Sequence, residues 1–139
     1  MAELWQALGS LLAVIAVVLL VRALRLGADP LLPNEEAARA AAAAVDPDFS
    51  AVAVAVDPAR DAALLLDARG RVLVMRAHGS HVAGRLLGPG ARAEVSGSDL
   101  VVDAGDRWFG RLTLSLDDPQ HWKRRIDLLS CAPCPASAR

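Results

Sequence analysis

Two short spacings in this chain carry residue types suited to metal or redox chemistry. His78 and His81 stand in an H-x-x-H (His78-Gly79-Ser80-His81), and Cys131 and Cys134 form a C-x-x-C within the last nine residues. Two imidazoles and two thiolates could together hold a tetrahedral zinc ion. The two pairs are about fifty residues apart, however, and an H-x-x-H in a flexible loop is common by chance. A C-x-x-C that exchanges disulfides opens a helix after a strand. Here it leads from a helical pattern into a proline-rich tail, which fits two free thiols better. Ser80 and His81 with any of several aspartates supply the residue types of a hydrolytic triad, but no G-x-S-x-G elbow is present to expose the serine. Asp103, Asp106, Asp117 and Asp118 fall at turns and helix starts, where capping accounts for them. Gly84, Gly88 and Gly90 do not lead from a strand into a helix, so they form no phosphate cradle. The expectation is a protein with no catalytic residues, no cofactor and no metal. His78, His81, Cys131 and Cys134 are the residues that would form a metal site if there were one.

The remaining candidates are contact residues. Trp108 and Phe109 are flanked by Arg107 and Arg111, and Lys123, Arg124 and Arg125 are consecutive. The aromatic pair reads either as a hairpin end with one ring packed inward or as an exposed partner-binding edge. The basic residues could meet anionic headgroups at about 1 kcal/mol each. Asp117, Asp118 and Asp127 dilute that field, which favours an acidic protein face over lipid. Fifteen basic residues against sixteen acidic ones give a net charge of −1, which argues against a nucleic-acid partner. Two cysteines, both near the end, make no disulfide framework.

These residues hang on an anchor and a small domain. Leu4 to Val21 (LWQALGSLLAVIAVVLLV) contains no charge. An apolar run of about 20 residues is what an α-helix needs to cross a bilayer. Its apolar surface runs all round rather than along one stripe, as a span requires. Only Met1, Ala2 and Glu3 precede it, which gives no basic n-region for a secretory signal. Arg22 and Arg25 lie at its far end, so the positive-inside bias puts the N-terminus outside and the rest in the cytoplasm. Reversed, the domain would be a periplasmic or envelope binding module; a zinc-binding or membrane-associated enzyme is the further alternative.

Leu26 to Pro33 should stop the spanning helix with its glycine and prolines. Asn34 then caps an alanine-rich helix to Val45, with Glu35 and Arg39 paired at i,i+4. With little but alanine methyls to bury, this helix reads as a spacer packed loosely on the domain or lying near the headgroups. From Phe49 the hydrophobic period changes to two, and seven strands follow. They are expected at Ala51–Val56, Ala62–Leu66, Arg71–Arg76, Val82–Leu87, Ala91–Val95, Leu100–Asp103 and about Arg107–Leu116. In the first strand Val52, Val54 and Val56 should form the buried face. In the last, Leu112, Leu114 and Leu116 should point one way and Arg111, Thr113 and Ser115 the other. Asp118 and Pro119 then open a helix in which Trp122, Ile126 and Leu129 make a narrow apolar stripe.

Seven antiparallel strands closed by one amphipathic helix resemble the pleckstrin-homology-like (PH-like) superfold. The resemblance rests on this element order, on DDPQHW opening the last helix, and on Trp122 as the plug, and it covers about Phe49 to Leu129. Phosphoinositide binding in that family uses basic residues in the loop joining the first two strands. Here that loop is DPARD, so headgroup recognition does not carry over. A small β-sandwich with a terminal helix is the alternative fold. The expected organisation is α+β: a transmembrane anchor over residues 1–26, a linker with its helix over 27–47, the PH-like β domain over 48–130, and a disordered tail over 131–139. The expected role is a single-pass bacterial inner-membrane protein whose cytoplasmic domain is a protein-interaction or accessory module. Its partners would be the bilayer and a membrane protein or complex.

Overall fold

Uncharged leucine, valine and alanine dictate the first element, helix α1 (Ala2–Ala23). The computed structural model describes residues 1–23 and 32–131, so residues 24–31, with Arg25, and the tail from residue 132, with Cys134, lie outside the described residues. At 1.5 Å per residue α1 is about 33 Å long, enough for the hydrocarbon of a bilayer. None of its apolar window Ala2–Val21 is buried against protein. It is therefore one helix near the N-terminus long and apolar enough to span a membrane.

After it come α2 (Glu35–Val45), β1 (Ala51–Val56), β2 (Ala62–Asp67), β3 (Val72–His78), β4 (His81–Leu86), β5 (Arg92–Ser96), β6 (Asp99–Asp103), β7 (Arg111–Ser115) and α3 (Pro119–Cys131). The strands form two antiparallel sheets, β1-β2-β3-β4 and β5-β6-β7, each strand paired with its neighbour in sequence. Turn chemistry makes these hairpins local. Gly70 (φ 81) closes β2–β3, and Gly97 (φ 63) closes β5–β6, at conformations glycine adopts without steric cost.

The main core lies between the sheets. Leu64, Leu66, Val72 and Val74 meet Leu100, Val102 and Leu114, and α3 adds Trp122 and Ile126, with Leu129 and Leu112 packed alongside. Asp118 Oδ1 accepts from the His121 N–H at 3.0 Å and starts α3 as expected. At its other end, Ser130 Oγ donates to the Ala91 carbonyl at 2.9 Å.

A second apolar layer corrects the reading of α2 as a loose spacer. Ala38 and Ala42, with Leu32 and Phe49, cover Ala63, Leu65, Leu73 and Met75 on the outer face of the first sheet. Small methyls at i and i+4 let the helix come close to the strands, and close approach replaces bulk as the source of burial. Gly84 of β4 continues this fit, since a Cβ there would lie 2.8 Å from Val45 Cγ2. β2 is consequently buried along its whole length, on both faces.

Two strands depart from their expected patterns. In β1 the pairing skips from Ala51–Asp67 to Ala53–Leu66, leaving Val52 as a bulge. The bulge shifts the alternation. Val52 is exposed, Ala53 and Ala55 face the main core, and Val54 and Val56 turn to the α2 layer. The valine face is thus not the one between the sheets. β7 begins only at Arg111, because Asp106 to Gly110 form a turn. Asp106 Oδ1 accepts from the Trp108 N–H at 3.0 Å, and its carbonyl accepts from the Gly110 N–H at 3.1 Å.

Two side-chain ties fasten the layers. Asp57, 8% exposed, accepts from the Ser115 N–H at 2.7 Å and from the Ala59 N–H at 2.9 Å, joining the first sheet to β7. Arg71 donates to Asp67 Oδ2 at 2.6 Å, Asp46 Oδ2 at 3.2 Å and the Asp48 carbonyl at 3.0 Å. Its guanidinium carbon also lies 5.5 Å from the Phe49 ring centre, so the end of α2 is pinned to the β2–β3 turn.

Candidate functional site: two exposed surfaces

Gly79 and Ser80 make the two-residue turn between β3 and β4, and this places His78 and His81 directly opposite each other, both exposed. The Asp106–Gly110 turn comes against this hairpin tip. Together they line an open depression of about 310 Å³, walled by Arg76, His78, His81, Val82, Ala83, Trp108 and Phe109. The aromatic pair splits. Trp108 is 96% exposed, whereas Phe109 packs against the main core. Arg76 fixes Phe109 there: its Nη1 donates to the Phe109 carbonyl at 3.2 Å, and its guanidinium carbon stands 5.8 Å from the ring centre. Arg107 is exposed beside Trp108. Arg111, the other flanking residue, is paired with Asp103 at 3.3 Å.

Among the described residues no three His, Cys, Asp or Glu side chains gather to hold a metal ion. Cys131 ends α3, exposed, and does not join His78 and His81 in such a group. Cys134 lies outside the described residues. Ser80 is exposed at the hairpin tip, Asp106 is spent on its turn and on Arg85 at 2.5 Å, and Asp118 caps α3.

The second surface is the outward side of α3. Lys123 is paired with Asp127 at 2.5 Å, while Arg124 and Arg125 are exposed. One turn further on, Leu128 is 62% exposed. A large apolar side chain thus stands in water next to two arginines, a neighbourhood that helical spacing creates. Two further open depressions flank α3. One, of about 520 Å³, runs from Val54 and Val56 to Leu116 and Trp122 with Glu35, Asp117 and Asp118 at its rim. The other, of about 530 Å³, lies along β5 beside Asp127 and Ser130.

Shifted titrations occur where the fold is tied together. Burial pushes the Asp67 carboxyl up, but the Arg71 N–H and guanidinium and the Arg69 N–H outweigh it and hold the group below the ordinary aspartate value. The Gly105 N–H and then Arg111 lower Asp103. Such shifts mark structural hydrogen bonding here, since neither carboxylate lies in the Trp108 depression.

Sequence reading names Trp108, Phe109 and the arginines, but it misses Arg76 as the residue that sorts the two rings. It also misses Leu128. The signal for Leu128 was available: it falls outside the Trp122–Ile126–Leu129 stripe. No protein-family model, curated protein or solved structure matches the chain.

Proposed function

We propose that this chain is a single-pass protein of a bacterial inner membrane, with the N-terminus outside and a cytoplasmic PH-like domain that serves as an interaction module. What supports a PH-like reading is the order of elements: seven meandering strands in two antiparallel sheets, closed by a last helix that buries Trp122. What supports the topology is Arg22 and Arg25 just after the span. The partner is a membrane protein or complex that presents an acidic face with an apolar patch. The observation that carries this is Leu128, 62% exposed on α3 one turn from Arg124 and Arg125. Buried apolar anchors ringed by polar groups supply most of the energy of protein contacts.

The test is co-purification of the full chain from membranes in mild detergent, with mass-spectrometric identification of what comes with it. Arg124→Glu with Arg125→Glu, and separately Leu128→Asp, should each lose the partner while leaving the fold intact. Retention of the same partner by both variants would remove α3 from the interface. An alkaline phosphatase fused at the C-terminus should be inactive, and activity there would reverse the topology.

A further inference from the structure

We propose that the Trp108 corner of the domain docks on the same bilayer that α1 enters, with the indole seated at headgroup level. This rests on the reading of α1 as a membrane span, and it holds for either orientation, because the domain always follows the C-terminal end of α1.

The argument begins where the tether enters the domain. Leu32 is fully buried, and its N–H donates to the Arg60 carbonyl at 3.4 Å in the β1–β2 turn. In a sheet of successive hairpins, alternate turns share an end. The β1–β2 turn and the β3–β4 tip therefore lie together, and the Ala77 N–H donates to the Asp61 carbonyl between them. Trp108 stands against that β3–β4 tip. The tether's entry and the Trp108 corner thus occupy one end of the first sheet. The β2–β3 turn at Gly70 lies at the other, about 20 Å away by strand length.

Chain length then limits how far this end can go. Leu32 is nine residues beyond Ala23, the last of α1, and nine residues reach at most about 32 Å when fully extended. A corner held this close meets the bilayer at high effective concentration, whereas a soluble partner has no such advantage.

Trp108 has the chemistry for that surface. Hydrogen bonds to Asp106 hold its turn in place, and Phe109 takes the inward position, so Trp108 is left 96% exposed. Indole rings concentrate at membrane–water interfaces, where the ring is apolar and the N–H stays wet. The charges around it are permissive. Arg60 and Arg107 are exposed and Asp61 opposes them, while Asp106 is neutralised by Arg85. Asp117 and Asp118 line a separate depression, but Pro58 of the β1–β2 turn and Glu35 line it too, so these acids stand at the tether's end and offset the arginines. With no surplus of positive charge at this end, the ring rather than the field carries the contact, so docking should survive on neutral lipid.

The test uses the full chain in nanodiscs of phosphatidylcholine, with and without phosphatidylglycerol and with or without brominated acyl chains. Trp5→Phe silences the indole in α1, and Trp122 is buried in the domain. Brominated lipid should quench a component of the remaining emission, and Trp108→Phe should abolish that component in both lipid mixtures. Emission from Trp108 that is unquenched by brominated lipid and fully open to aqueous iodide would overturn the proposal and leave the corner to a protein partner. Extraction with alkaline carbonate reports separately on the anchor. Loss of the chain from vesicles there would refute the membrane span itself, and the docking with it.

Discussion

Replacing Trp122 with alanine removes the largest side chain that α3 sends into the core, and the cost can be worked from its burial. An aromatic ring of this size buries about 200 Å², and Trp122 keeps only 6% of its surface exposed. At about 25 cal/mol per Å² the transfer amounts to about 5 kcal/mol. A compact unfolded chain lowers that figure, and the cavity left behind raises it again, so about 3–5 kcal/mol is expected. Against the 5–15 kcal/mol that typically holds a domain together, this is about a fifth of the stability or more. Urea unfolding of the full chain in detergent, followed by the loss of β-sheet circular dichroism, would measure it. Trp122→Phe should cost clearly less, because most of the ring contact survives. A Trp122→Ala midpoint within about 1 kcal/mol of the parent would mean that α3 lies on the surface without closing the core. The PH-like reading would then lose its main support.

Gly84→Val should destabilise by about 1–3 kcal/mol, because its Cβ would start 2.8 Å from Val45 Cγ2. Val45→Ala in the same chain should recover most of the loss in a thermal melt. Asp57→Ala should cost about 1–3 kcal/mol by leaving the Ser115 N–H without its carboxylate, and Asp57→Asn should cost less, since one oxygen remains. The folded state lowers the Asp67 carboxyl below its ordinary 3.8, so at acid pH the unfolded chain binds the proton first. The stability from this group is complete above the ordinary aspartate range and fades as pH falls through and below it. Thermal melts of the parent from about pH 6 to pH 2 should therefore show a decline that Asp67→Asn flattens. An equally steep decline in the variant would refute the assignment.

The sequence showed what local chemistry decides. The period-two strands, the Gly70 turn, the Asn34 and Asp118 caps and the shared face of the β7 leucines were all legible, because each depends on residues within a few positions. The α2 layer was not legible. Its burial depends on Ala38 and Ala42 meeting Leu65 and Met75 across the sheet, and alanine methyls carry no pattern that distinguishes a close-packed helix from a solvated one. The face of β1 was misread for a related reason, since AVAVAV fits either register and the bulge at Val52 decides between them. The Trp108 corner was half legible. The composition of Arg107–Arg111 marked it as a contact candidate, but its closeness to His78 and His81 follows from how one sheet packs on the other.

Placing α3 last has a consequence for how the protein is made. Synthesis runs from the N-terminus, so α1 is finished while the domain is still incomplete, and the strands can pair hairpin by hairpin as they emerge. The core cannot close with them, because Trp122 and Ile126 arrive only after β7. From Ser115 to Cys131 is 16 residues, or roughly one to three seconds of translation at about 5–20 residues per second. During that interval Leu64, Leu100 and Leu114 are without the helix that covers them. With α1 in the membrane, as proposed, the nascent chain would pass those seconds beside a bilayer. A premature stop before Trp122 would make that brief state permanent. Quality-control proteases of the membrane should therefore clear such a truncated product as thoroughly as one that ends in the middle of the first sheet.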